Sequence, residues 1–152
     1  MSIVEQVQAD VRASMKQRCK ERTAALRLLL AELKQTAIDQ RSTVEDVQAW
    51  QILQKLIRQR EDAAQQYAQA GRTDLAAKEC QEVDIMREYL PQPLDESRLV
   101  DLVCEAVAAT SSHDVRQMGQ VMQYLKPKIL GRAEMARVST LVKQEIAKGS
   151  GA

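Results

Sequence analysis

The chain has 152 residues, 45% of them hydrophobic and 28% charged, with a formal net charge of +1. This is the balance of a folded globular protein of one domain or two small lobes, and it leaves no global field to attract nucleic acid or membrane. Aromatic residues make up 3% with no phenylalanine, and there are only five glycines and three prolines. The core must therefore come from Leu, Val, Ile, Ala and Met, and the elements must be long, which favours helices.

No apolar run approaches the ~20 residues of a membrane span. The most apolar stretch, residues 99–109, is interrupted by Asp101 and Glu105. Met1-Ser2-Ile3-Val4-Glu5 lacks the basic-then-apolar order of a secretory signal, so a soluble, cytoplasmic protein is expected. Cys19, Cys80 and Cys104 are odd in number and widely spaced. They read as buried or half-buried structural thiols, and not as a disulfide framework or zinc site.

Ser2-x-x-Glu5 has the form of a capping box and opens a first helix carrying Val4, Val7, Val11 and Met15, ending near Gln17. A second helix starts around residues 19–21. It places Leu26, Leu29, Leu30, Leu33 and Ala37 on one face and Arg22, Arg27, Glu32 and Lys34 on the other. Arg41-Ser42-Thr43 interrupts the period, and Thr43 is the expected N-cap of a third helix. That helix carries Val47, Trp50, Leu53, Leu56, Ile57, Ala64 and Tyr67 and stops at Gly71, suited to a left-handed C-cap. Thr73 opens a fourth with Asp74 in its first turn; Leu75, Val83, Met86 and Leu90 mark its buried stripe.

Pro91-Gln92-Pro93 forces extended backbone and ends that helix. It divides the chain into an N-terminal lobe of four helices, residues 1–90, and a C-terminal lobe of three, residues 94–148. Leu94-Asp95 reads as a staple and cap for the fifth helix, with Leu99, Val103 and Val107 inward. After a polar turn at residues 110–113, Val115, Met118, Met122, Leu125 and Ile129 mark a sixth helix that Pro127 and Gly131 close or kink. Met135, Val138, Val142 and Ile146 mark a seventh, and residues 149–152 are expected as a disordered tail. No segment alternates with period two. The expected fold is all-α, a two-lobed helical bundle.

A search for chemistry returns little. The glycines stand apart, so no phosphate-cradling loop is present. The sole histidine, His113, lies in a Ser-Ser-His-Asp turn; it fits an exposed cap better than an oriented base. One histidine cannot supply the paired Glu-x-x-His motifs of a di-metal bundle. No catalytic residue, metal or cofactor is expected.

Two basic clusters remain. Arg12, Lys16, Arg18, Lys20, Arg22 and Arg27 surround the first interhelical turn, opposed by Asp10 and Glu21. Arg116, Lys126, Lys128, Arg132, Arg137 and Lys143 occupy the second lobe. The run from Lys126 to Arg132 sets cations at a helix–helix corner beside the exposed amides of the seventh helix, a candidate phosphate site. Cations at such a corner also serve simply to solubilise a surface. Only Tyr124 interleaves with them, so base stacking on single strands is not expected, and phosphate and shape recognition of folded RNA fits better.

Three blocks carry a family resemblance. They are Lys20-Glu-Arg-Thr-Ala-Ala-Leu-Arg-Leu-Leu-Leu-Ala-Glu-Leu-Lys34; Ala70-Gly-Arg-Thr-Asp-Leu-Ala-Ala-Lys-Glu79 with Glu88-Tyr-Leu-Pro91; and Met118-Gly-Gln-Val-Met122 with Pro127-Lys and Gly131-Arg-Ala133. In this order, over roughly residues 2–148, they resemble the GatB/YqeY family, nearer to its free-standing YqeY-like members than to full GatB. The resemblance implies a helical N-terminal lobe and a smaller three-helix C-terminal lobe. In GatB, the B subunit of the tRNA-dependent amidotransferase, the related module is a C-terminal appendage that helps engage misacylated tRNA. The amidating chemistry and its metal lie in a separate cradle domain, and the glutaminase in another subunit.

For this chain the resemblance implies a non-catalytic adaptor associated with tRNA or other structured RNA. Its RNA-binding residues would be Lys126, Lys128, Arg132, Arg137, Lys143 and Arg116, with no membrane and no DNA partner. The alternatives are a protein–protein module for an amidotransferase or other translation protein, or an auxiliary component of a glutamine-dependent carbon–nitrogen ligase whose activity resides in partner subunits. Two positions depart from the family pattern. Ala37-Ile38 stands where an acidic residue is often found. Glu134-Met135 stands where Asp-Gly is common, and methionine is a better helix former than glycine, so an earlier start of the seventh helix is expected.

Overall fold

The computed structural model describes residues 1–150, and among them are seven α-helices, one short 3-10 turn and no strand. The fold is all-α. The chain divides into two compact units, one ending at Leu90 and the other beginning at Pro91, each with its own apolar core. No helix among the described residues is long and apolar enough to cross a membrane.

The N-terminal unit consists of α1 (Ile3–Lys16), α2 (Lys20–Gln40), α3 (Asp46–Gln69) and α4 (Thr73–Arg87). α1 opens on the expected capping box: the Ser2 hydroxyl accepts from the Glu5 N–H at 3.2 Å, and the Glu5 carboxylate from the Ser2 N–H at 2.9 Å. Val7 of α1, Leu26, Leu29 and Leu33 of α2, Leu53 of α3 and Met86 of α4 are nearly or wholly removed from water. Each such side chain contributes about 1.5–3 kcal/mol of transfer free energy, so these facing stripes hold the unit together. Arg60 of α3 and Glu82 of α4 meet at 2.9 Å with side chains only 15% and 14% exposed, fixing the register of the α3–α4 hairpin.

Three expectations for this unit are corrected. Thr43 is not the N-cap of the third helix; Glu45 is, and its N–H donates to Gln48 Oε1 at 3.3 Å. The start is displaced because Val44 is buried and the chain passes through it before coiling. Asp46 instead accepts from the Ile3 N–H at 3.0 Å, satisfying an open amide of α1. Val47 lies outward and Ala49 takes the inward place. Of the thiols, Cys104 is half-buried, but Cys19, in the turn before α2, and Cys80, on α4, are exposed.

The C-terminal unit consists of α5 (Glu96–Ala109), a 3-10 turn (Val115–Gln117), α6 (Met118–Ile129) and α7 (Met135–Ser150). Asp95 caps α5 by accepting from the Arg98 N–H at 2.7 Å. Leu99 and Val103, Val121, Leu125 and Ile129, and Val138, Val142 and Ile146 form its core. Val115 does not join the sixth helix. It sits exposed in the 3-10 turn, where Gln117 Oε1 satisfies the amides of His113 and Asp114 at 2.7 and 3.2 Å.

Pro127 does not end α6, which runs two residues further. The carbonyl its missing N–H leaves behind belongs to Gln123, an exposed residue that water reaches. Met135 is the first residue of α7, and the Glu134 carbonyl accepts from the Val138 N–H at 3.1 Å. Of the tail expected at residues 149–152, the first two positions continue α7, anchored by buried Ile146 in the turn before, and the last two lie outside the described residues.

Candidate functional site

The most distinctive cationic site begins with a turn. After α6 the backbone passes through Leu130 at φ −58° and ψ 126° and Gly131 at φ 75°, and the Arg132 N–H returns to the Ile129 carbonyl at 2.8 Å. These are the angles of a type II turn, whose third position is left-handed and suits glycine. The turn brings Arg132 back onto the chain that enters α5. Its carbonyl accepts from the Leu94 N–H at 3.0 Å, and its Nε donates to the Gln92 carbonyl at 3.0 Å. The segment between the two prolines is thus stitched to the end of α6.

One turn earlier on α6, Lys128 extends over Tyr124, its Nζ 4.4 Å from the ring centre, 3.2 Å from the Tyr124 hydroxyl and 3.3 Å from Glu105 Oε1. Tyr124 donates to the same carboxylate oxygen at 3.1 Å. Hydrogen bonds from Lys128 and then Tyr124 hold the Glu105 carboxyl below the usual carboxylate range, with Arg98 adding to the effect. The Tyr124 hydroxyl and Glu105 in turn raise the Lys128 ammonium above its usual range. Arg98, Leu102, Glu105, Lys128 and Arg132 line an open pocket of about 340 Å³. Three cations against one carboxylate leave it two charges positive, a setting suited to phosphate oxygens.

The six cations singled out in the sequence do not share this pocket. Lys126 is two residues from Lys128, about 200° around the helix, so the two ammonium groups diverge. Arg137 forms an ion pair with Glu96 in the first turn of α5, which raises the guanidinium above its usual range. Arg116 lies 3.9 Å from Asp114 and precedes α6, some 18 Å of helix away from the pocket. Lys143 is exposed on α7. Only Lys128 and Arg132 converge, and the residue that joins them is Arg98. No sequence signal marks Arg98, because only the packing of α5 against α6 brings it near.

Two cations of the first basic cluster also have partners within the chain. Arg22 meets Glu88 at 2.9 Å, and Arg27 rests on the Met15 sulfur at 3.4 Å. His113 is exposed, with its backbone N–H held by Gln117. Among the described residues no group of three or more His, Cys, Asp or Glu is placed to hold a metal ion.

Fold and site together define an all-helical protein whose distinctive surface feature is a small cationic pocket beside an interhelical turn. The chain belongs to the Yqey-like protein family, whose model matches residues 4–146. It is also similar to an uncharacterized protein of Schizosaccharomyces pombe, 30% identical over 95 residues, an alignment covering 60% of this chain and 77% of that one.

Proposed function

We propose that this chain is a non-catalytic adaptor that docks on folded RNA, tRNA foremost, through the pocket of Arg98, Lys128 and Arg132. The observation that carries the reading is the convergence of these cations from α5, α6 and the following turn around a single carboxylate. Phosphodiester oxygens match such a set, and affinity resting on them falls steeply with salt. Tyr124 already carries Lys128 over one face of its ring, so recognition by backbone shape fits better than base stacking. The resemblance to the tRNA-engaging appendage of GatB supports tRNA as the RNA class and leaves any amidating chemistry to partner subunits.

Filter binding to tRNA across a salt series tests the reading. Arg98→Gln and Lys128→Gln should each weaken binding and reduce the salt slope by about one, while Lys143→Gln, away from the pocket, should leave both unchanged. A double variant with wild-type affinity and slope would remove the pocket from RNA binding.

One observation favours a second reading, a protein–protein module serving an amidotransferase or another translation protein. Four of the six sequence-predicted cations, Arg116, Lys128, Arg132 and Arg137, already have acceptors within the chain. That reading expects a partner complex that survives ribonuclease treatment.

A further inference from the structure

α2 has two apolar faces, and the core accounts for only one. Ala25, Leu26, Leu29 and Leu33 are buried. Ala24, Leu28, Ala31, Gln35 and Ile38 are exposed, Leu28 to 50% and Ile38 to 68%. The spacings along this outer set are four, three, four and three, the period of a coiled-coil seam. In heptad terms Leu28 and Gln35 occupy a positions, and Ala24, Ala31 and Ile38 occupy d positions.

The edges of the seam carry opposite charges. The residue before each a position is basic, Arg27 and Lys34. The residue after the second and third d positions is acidic, Glu32 and Asp39. None of the four forms an ion pair among the described residues. Arg27 rests on Met15, and Asp39 accepts from the Gln35 side chain of its own helix at 2.8 Å.

We propose that this face is an interaction surface for a second copy of the chain, with the two α2 helices docked in parallel. Parallel docking sets Arg27 opposite Glu32 of the second copy and Lys34 opposite Asp39, each pair occurring twice by symmetry. Antiparallel docking would set base against base and acid against acid, so the charge pattern selects one orientation. Gln35, the one polar seam residue, meets its own counterpart and fixes the register. Two heptads with two alanines form a short seam, so the association is reversible, with Kd on the order of 10–100 µM. This inference is independent of the RNA reading and uses no residue of the cationic pocket.

Sedimentation velocity of the full chain from about 1 to about 500 µM tests it, spanning that range of Kd. The expected result is a monomer–dimer equilibrium that Leu28→Glu weakens at least about tenfold. The double variant Arg27→Glu, Lys34→Glu should weaken it similarly. Adding Glu32→Lys and Asp39→Lys should restore it, because the quadruple variant is again complementary. All five positions are exposed, and unchanged helical circular dichroism and thermal midpoint establish that each variant is folded. A chain that stays monomeric at the highest concentration, a dimer indifferent to Leu28→Glu, or a folded quadruple variant that fails to recover would each overturn the proposal.

Discussion

In the N-terminal unit arginines reach carboxylates on other segments: Arg22 meets Glu88, Arg60 meets Glu82 and Arg87 meets Glu61. In the C-terminal unit Arg98, Lys128 and Arg132 gather around a pocket with Glu105 as its only carboxylate. A net charge of +1 therefore conceals two uses of charge: pairs between segments, which Arg137 and Glu96 provide in the C-terminal unit too, and a local positive excess at the pocket. An ion pair across two packed helices stabilises one alignment of them, whereas unbalanced cations beside an open pocket add little to folding and are available to a ligand.

The largest effect expected from breaking this contrast lies in the N-terminal unit. Tyr89 is buried, and its hydroxyl donates to Asp10, tying the end of the unit to α1. Tyr89→Phe leaves that carboxylate without its donor and should cost about 1.5–3 kcal/mol in chemical denaturation. Burial and then the Asp10 bond raise the phenol above its usual range. The raised value favours the protonated folded form, so this stabilisation is fully present below the ordinary tyrosine range and is lost as pH rises from that range through the raised value. Wild type should therefore lose more stability at alkaline pH than the phenylalanine variant.

Next is Gly131, at φ 75° in the turn that presents Arg132. Gly131→Ala should cost about 1–2 kcal/mol and weaken tRNA binding as well, since strain at this turn shifts Arg132. Smaller, and opposite in sign, is Arg41→Gly. Arg41 ends α2 at φ 56°, where a side chain is strained. Glycine there should stabilise the protein by about 0.5–1 kcal/mol, read as a raised thermal midpoint.

The smallest effect should appear in binding alone. Glu105 is charged at neutral pH like any glutamate, and because its carboxyl is held low it stays charged further into the acid range. Glu105→Gln should raise tRNA affinity about twofold at neutral pH by releasing Lys128, with little change in stability. Unchanged affinity would mean that the pocket's charge does not govern binding.

Helix periods were legible in the sequence because buried stripes repeat at three and four: Leu26, Leu29 and Leu33, and Val121, Leu125 and Ile129. Turns were less so. α1, α2, α3 and α5 are each followed by a left-handed residue, at Arg18, Arg41, Gly71 and Ser111, and only Gly71 announces it by its residue type. The start of α3 lies beyond Thr43, because a good capping residue gives no sign that Val44, just after it, enters the core. The candidate site is legible in part: Lys128 and Arg132 stand in the basic run 126–132, but Lys126 leaves by the opposite side of α6.

By itself, then, the sequence determined the helical class, the proline-marked division after Leu90 and the faces that become core. These follow from local propensity and from apolar spacing along a single helix. Only the tertiary structure decided which cations meet. Arg98 and Lys128 are thirty positions apart and share a pocket, whereas Lys126 and Lys128 are two apart and do not. Charge acts through distance in space, and helix geometry and packing, not order along the chain, set that distance.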